Sequence, residues 1–414
     1  MNTAVTNTNV SSTKKSSLKR KLLALFAGAL FKIVCIFMCG KVYGKAELKK
    51  IKEPCLILST HGSTLDFLYG GTALFPKYYT GVIAEILFYK PFLGKLLKQF
   101  GFISKKQFSV DVLCIKSIKQ NIESGKNVFL CPEGKTSVDG RCGYIPPAVS
   151  KLIKWIGVPV ILLNIRGSHL SFPRWNKRPR RGKVRVETAV LFTKDETEKL
   201  TNEEIHERLV KAFDYNDYDY QQKYKVKLRT NNTAKGLNRL LYKCPKCGKE
   251  FTIKSKRNTL VCSECGNSAI VDRYGNITAA DKDSIVFDRI DRWADYEKED
   301  IKKQVQSGGF CLTEKTIQHR INSATHRPEK VAEGRLTLTA EGIAFTPQII
   351  FDKDSKTDKD LFYPMETLPT TAFYNTYIIL GSNGSLCTFS FETEGVAYKW
   401  NYAVEALYAN RKTI

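Results

Sequence analysis

From residue 54 onward the chain alternates short apolar runs with longer stretches in which apolar residues recur at helical spacing. PCLILST (54–60), NVFLCP (127–132) and VPVILLNI (158–165) are apolar runs closed by turn residues, and VRVETAVLF (184–192) is rich in β-branched positions. Such runs predict buried strands. Between them lie TLDFLYGGTALF, KPFLGKLLKQF and VDVLCIKSIKQNIESG, which read as helices, the last one stopping at Gly125. The alternation predicts an α/β layer fold on a mainly parallel sheet over residues 42–225.

The pattern changes on either side of this unit. Residues 22–40 form one apolar segment, preceded by Lys14, Lys15, Lys19, Arg20 and Lys21 and interrupted by Lys32. Its length is close to the ~20 residues needed to cross a bilayer. A lysine near the middle favours a helix lying in the membrane interface, with residues 1–41 as basic tail and anchor, over one that spans. DYNDYDYQQ (214–222) reads as a polar linker. Beyond residue 283, the charged helix FDRIDRWADYEKEDIKKQV leads to strand-like pieces GRLTLTAEGIAFTP, LFYPMETL, NTYIILGS and SLCTFSFET and then a final helix, VAYKWNYAVEALYANR. Several short antiparallel strands closed by one helix resemble the pleckstrin-homology-like barrel and its GRAM variant.

Charge narrows the partners. Sixty-six basic against 41 acidic residues leave a net +25, so the partner surface is anionic: nucleic acid, acidic lipid or a phosphorylated substrate. The stretch Arg166–Arg185 holds eight basic residues and no acidic one, with Phe172 and Trp175 interleaved, a composition suited to a loop at the level of lipid headgroups. His169 has no evident partner there and reads as structural. Four of the twelve cysteines form CPKC (Cys244, Cys247) and, after fourteen residues, CSEC (Cys262, Cys265). This spacing predicts a zinc ribbon over 240–275, whose closed four-thiolate site is structural. The remaining cysteines are scattered, which fits a reducing cytoplasm better than a disulfide framework.

The candidate chemistry begins at ILSTHGSTLDF. His61 follows an apolar strand, and Asp66 comes five residues later at the start of the next helix. The two side chains can meet only if His61 lies in the loop before that helix, where it could act as general base with Asp66 fixing its tautomer.

With three further segments this site resembles the glycerolipid acyltransferases, of which lysophosphatidate acyltransferase is the central member. HGSTLD matches the family's H-x4-D motif. AEILFYKPFLGKLLKQFGFISKK is similar to the stretch leading into its second motif, with Glu85, Pro91, Gly94 and Gly101 in order. FLCPEGKTS, with Pro132, Glu133, Gly134 and Ser137, is similar to FPEGTRS, and GVPVILL around Pro159 resembles the apolar strand motif. The resemblance spans roughly residues 42–215. Two departures stand out: Lys105 follows Gly101 and Ile103 where the family carries Arg, and Lys135-Thr136 replaces Thr-Arg, so a point charge stands where a forked guanidinium would grip phosphate.

The resemblance implies direct transfer of an acyl chain from a thioester, acyl-CoA or acyl carrier protein, to the hydroxyl of a lysophospholipid, most simply 1-acylglycerol-3-phosphate. His61 and Asp66 are then catalytic, and Lys105, Glu133, Gly134, Lys135 and Ser137 bind substrate. Anionic lipids at the cytoplasmic face of a membrane are the expected partner surface, and no nucleic-acid partner is expected. Two other classes fit parts of the chain: a catalytically inactive lipid-binding scaffold on the same fold, and a zinc-ribbon nucleic-acid-binding protein. The zinc ribbon and the barrel read as accessories, so a chain ending near residue 225 is expected to fold and to keep its chemistry.

Overall fold

A computed structural model describes residues 40–43, 53–106 except 76 and 78, 111–321, 328–351, 361–382 and 385–411, together with Phe26, Gly28, Ala29, Leu30 and Ile33. Strands β1 (Gly40–Tyr43), β2 (Leu56–Ser59), β3 (Tyr79–Ala84), β4 (Ile103–Lys105), β5 (Asn127–Leu130), β6 (Val160–Arg166) and β7 (Gly182–Phe192) build one sheet in the order β1, β7, β6, β2, β5, β3, β4. Strands β2 to β6 pair in parallel, while β7 runs antiparallel to β6 and carries β1 parallel at its far edge. Sequence pattern marks β2, β5, β6 and β7 but misses the edges. β4 has only three residues, and β3 is broken by Gly81, whose missing Cβ leaves room for the Phe102 ring.

The all-apolar central strands are covered on both sides, as parallel sheets require. Side chains alternate: Leu56 and Leu58 enter one core with Ile118, Ile153 and Leu209, while Ile57 enters the other with Leu68, Phe129 and Leu163. Helices α1 (Asp66–Leu74), α2 (Pro91–Gln99) and α3 (Val112–Glu123) fall where the periodicity places them, and a further helix, α4 (Ala148–Ile156), lies between β5 and β6. Local chemistry sets their ends: Pro91 opens α2, the Asp111 side chain caps α3 through Cys114 N–H, and Gly157 closes α4 in the left-handed region. A short α5 (Ser168–Ser171) precedes β7, and α6 (Lys194–Lys199) and α7 (Asn202–Ala212) each start with a Thr/Glu capping box.

The polar stretch read as a linker is no linker. It forms α8 (Asp217–Tyr224), and the Asp217 carboxylate accepts N–H bonds from Gly167 (2.8 Å) and His169 (2.9 Å). These bonds pay the cost of burying a polar segment.

Strands β8 (Ile253–Lys256), β9 (Thr259–Cys262), β10 (Ser268–Val271) and β11 (Ile277–Ala279) form a small antiparallel sheet around the four cysteines. Helix α9 (Ile290–Gln306) leads to β12 (Leu312–Ile321), β13 (Pro328–Leu338), β14 (Gly342–Ile350), β15 (Leu361–Pro364), β16 (Ala372–Tyr374), β17 (Tyr377–Ser382) and β18 (Ser385–Phe391), followed by α10 (Val396–Arg411). This antiparallel sheet has the order β15, β14, β13, β12, β18, β17, β16, so its first and last strands meet in the middle.

One apolar core crosses from the α/β unit into the rest of the chain. Val138, Leu170, Trp175 and Tyr218 pack in the same cluster as Leu237, Leu241, Trp293, Tyr398 and Trp400. Trp175, read from composition as a headgroup-depth residue, is 1% exposed, edge-on to His169. It seals this junction, because its bulk is worth more in a dry core than at a wet surface.

The apolar segment 22–40 lies largely outside the described residues. Phe26, Gly28, Ala29, Leu30 and Ile33 are helical, and Phe26, Leu30 and Ile33 are exposed. Among the described residues no helix is long and apolar enough to cross a membrane.

Candidate active site

The carboxyl ends of the parallel strands β2, β5 and β3 point the same way, the edge at which open α/β sheets bind ligands. At the end of β2 the chain turns through His61, Gly62 and Ser63 into α1. The turn is tight: a Cβ on Gly62 would lie 2.3 Å from Ser168 Oγ and 3.0 Å from His169 N. His61 therefore sits outside the helix, and its Nδ1 lies 3.1 Å from Asp66 Oδ2. Asp66 is buried and held by Ser63 N–H at 2.9 Å. The His61 side chain keeps 23% exposure, so this ring is the part of the pair that a substrate could reach.

At the end of β5, Glu133 is buried with both oxygens occupied: Oε1 accepts His61 N–H and Oε2 accepts Gly143 N–H, each at 2.8 Å. Four residues on, Ser137 N–H donates to His61 O at 2.7 Å. Glu133 and Ser137 thus grip the backbone of His61 from its two sides, as scaffold, with Glu133 bonded to backbone and not to an open pocket. Burial drives the Glu133 carboxyl up to about 7 against the two N–H bonds that favour its charge. Gly134 adopts φ +67°, so it is backbone conformation that requires glycine there; a Cβ would meet nothing within 4 Å.

Burial disfavours charge on His61, yet Cys131 and Asp66 facing the ring outweigh it and hold the imidazole above its ordinary range. Cys131, which shares a hydrogen bond with His61, is a neighbour that motif spacing does not single out; its own thiol is pushed up by burial. His169 is fully buried, burial lowers its pKa to about 4, and its ring packs edge-on against Trp175.

Two of the cations read as substrate-binding are placed differently. Lys105 ends β4, two strands from β5 and so about 10 Å from it by strand spacing, at the same carboxyl edge. Its Nζ donates to Lys106 O at 2.6 Å. Lys135 is not open to substrate at all. Its side chain is 4% exposed, and its ammonium donates to Thr370 Oγ1, to Asn401 Oδ1 at 2.6 Å and to Glu405 Oε1 at 2.7 Å. A buried ammonium needs such acceptors, and the segment before β16 supplies one and the carboxy-terminal helix two.

A family model described as Acyltransferase matches residues 40–165, which hold the His61, Asp66 and Glu133 constellation. The chain carries an acyltransferase domain. This domain is similar to a chloroplastic 1-acyl-sn-glycerol-3-phosphate acyltransferase of Brassica napus, 28% identical over 134 residues, 32% of this chain and 38% of that protein. It is similar also to a chloroplastic 1-acyl-sn-glycerol-3-phosphate acyltransferase of Arabidopsis thaliana, 26% identical over 152 residues, 36% of this chain and 42% of that protein. The chain thus spans about two fifths of the length of these relatives. Among solved structures, the 1-acyl-sn-glycerophosphate (LPA) acyltransferase PlsC from Thermotoga maritima aligns with a TM-score of 0.35 at 16% identity, covering 50% of this chain and 85% of that one.

Outside the acyltransferase domain, the sulfurs of Cys244, Cys247, Cys262 and Cys265 lie within 4.8 Å of one another. Cys244 and Cys265 are 3.7 Å apart and Cys247 and Cys262 are 3.8 Å apart, far beyond the ~2.05 Å of a disulfide. Both match the edge of a tetrahedron built on ~2.3 Å metal–sulfur bonds, about 3.8 Å, so the donor set fits a thiolate-preferring tetrahedral ion. Asn267 Nδ2 and Thr252 Oγ1 reach the sulfurs of Cys244 and Cys262 from outside, as supporting residues around a metal site do.

Proposed function

We propose that the protein moves an acyl chain from a thioester, acyl-CoA or acyl carrier protein, to the free hydroxyl of a lysophospholipid, with 1-acylglycerol-3-phosphate as acceptor and phosphatidic acid as product. The observation that carries this is the His61–Asp66 pair inside the matched domain, with one edge of the imidazole held by a buried carboxylate and the ring still accessible. Asp66 accepts the Nδ1 proton, which leaves Nε2 as the basic nitrogen. Nε2 takes the hydroxyl proton as the oxygen attacks the thioester carbonyl, and the thiol departs when the tetrahedral intermediate collapses. In the turn after Glu133 the Gly134 and Ser137 N–H groups are held by Cys131 O and His61 O, which leaves those of Lys135 and Thr136 for the developing oxyanion. No covalent acyl-enzyme is needed.

The similarity to 1-acyl-sn-glycerol-3-phosphate acyltransferases supports a phosphate-bearing acceptor, and Lys105 remains the cation read from the motifs that stands at the ligand-binding edge. The working surface is an anionic membrane, reached from its cytoplasmic face. In support, Lys177, Arg178 and Arg181 are exposed in the segment leading into β7 and Lys183 is exposed at its start, on the strand with which β1 pairs directly after the apolar segment. The four cysteines bind a structural zinc ion, which when present cross-links the two knuckles. The strand order of the carboxy-terminal sheet and its closing helix support a pleckstrin-homology-like barrel.

The test is to incubate the purified full chain with labelled acyl thioesters and a panel of lysolipids, beside His61→Ala. Labelled diacyl lipid should form with the wild type and fall by about 10²- to 10⁴-fold in the variant, the usual contribution of a general base. No transfer from any thioester, or full turnover in His61→Ala, would refute the proposal.

A further inference from the structure

The loop that fixes His61 is itself held from the far end of the chain. Residues 133–144 contact His61 through Glu133 and Ser137, and on their other side they meet α9, α10 and the segment before β16. Besides the three acceptors around Lys135, Lys298 donates to Asp139 Oδ2 at 2.5 Å, Arg141 pairs with Asp291 at 3.0 Å and also with Asp295, and the Tyr144 ring stands edge-on to Tyr408. Arg174 joins the two parts, donating to Thr136 O at 2.9 Å and to Phe373 O. Within this junction Lys135 holds a particular position, because it lies in sequence between Glu133 and Ser137, the two residues that grip the His61 backbone. Glu405 Oε1 also accepts from Thr370 Oγ1 at 2.6 Å, so the acceptor cage is set by the fold of the carboxy-terminal unit and not by the loop.

We propose that Glu405 and Asn401 are positioning residues of the acyl-transfer centre, acting through Lys135 on the loop that fixes His61. This rests on the functional reading above. Removing Glu405 leaves the Lys135 ammonium buried beside neutral oxygens only, and a buried cation without its counter-ion is unfavourable enough to leave its site. As Lys135 moves to water it carries the backbone between Glu133 and Ser137 with it. A displacement of about 1 Å at a catalytic group is enough to cost roughly 10²-fold in rate.

The test uses the full chain and compares Glu405→Ala with Lys399→Met. Lys399 lies on the same helix and pairs with Glu250 in the four-cysteine module at 2.6 Å, so its loss removes a comparable ion pair without touching the loop. Two readouts are needed. Hydrogen exchange of peptides covering residues 59–66 and 133–144 reports the loop whatever the substrate; it should rise in Glu405→Ala and stay at wild-type level in Lys399→Met. Turnover should fall by about 10- to 100-fold in Glu405→Ala with the Michaelis constants of both substrates within about threefold, and stay within about twofold in Lys399→Met. In a Lys135→Met background, which leaves no ammonium to strand, Glu405→Ala should cost less than about threefold more. Unchanged exchange in Glu405→Ala, equal exchange in both single variants, or the same loss of turnover with and without Lys135 would overturn the proposal. Absence of acyl transfer in the wild type would refute the functional reading alone, and the exchange comparison would still decide the positioning.

Discussion

Cutting the chain after residue 225 removes the partners of a core that belongs to both halves. Val138, Leu170, Trp175 and Tyr218 are each less than 8% exposed, and each packs in the cluster built by Leu237, Leu241, Trp293, Tyr398 and Trp400. At about 1.5 to 3 kcal/mol for each large side chain returned to water, the four cost roughly 6 to 12 kcal/mol. That matches the entire stability of an ordinary domain, about 5 to 15 kcal/mol. Lys135 and Asp139 lose Glu405 and Lys298 as well, but the cut exposes these charges to solvent and so adds little. The fragment 1–225 should therefore show no cooperative transition when its ellipticity is followed on heating, or melt roughly 20 °C below the full chain. It should also be inactive. A fragment that melts cooperatively within a few degrees of the whole protein would refute this reasoning and restore the expectation, drawn from the position of the motifs, that the later half is an accessory.

Three other outcomes follow from the site. Asp66→Asn should lower turnover by at least about 10²-fold; because the Asp66 carboxylate helps hold the His61 pKa up and His61 works as the neutral base, the acid limb of the rate profile should move to lower pH, and an unmoved limb would exclude that pairing. Glu133→Gln offers one acceptor to two N–H donors and should lose about 1 to 3 kcal/mol of stability in thermal melts. The folded pKa of Glu133, about 7, is raised above its ordinary 4.5, so its contribution favours the native state most below 4.5 and disappears as pH rises through about 7; the variant should flatten that dependence between these limits. Metal analysis of the purified chain should find one zinc per molecule, and Cys262→Ser or a strong chelator should remove it and lower the melting temperature by more than about 10 °C, since Leu260 and Ala269 of the ribbon lie in the shared core. A metal-free protein with an unchanged melt would discard the zinc assignment.

The parts of this protein that were legible in the sequence are those that depend on near neighbours along the chain. The central strands show as unbroken apolar runs because both of their faces are buried, and the helices show through their spacing and their caps. His61 and Asp66 lie five residues apart, so the strand-to-helix turn alone brings them together. The cysteine knuckles are likewise local, two pairs on two short turns. What only the tertiary structure decided involves partners hundreds of residues away. Lys135 has the charge and the motif position of a phosphate ligand, and nothing near it in sequence reveals that Thr370, Asn401 and Glu405 enclose it. Trp175 sits among eight basic residues and reads as interfacial, yet it is buried where two units share a core. Composition reports how a residue type behaves on average. Whether a given charge or ring meets water is settled by which surfaces the folded chain presses together, and a buried charge keeps its place only where those surfaces bring its partner.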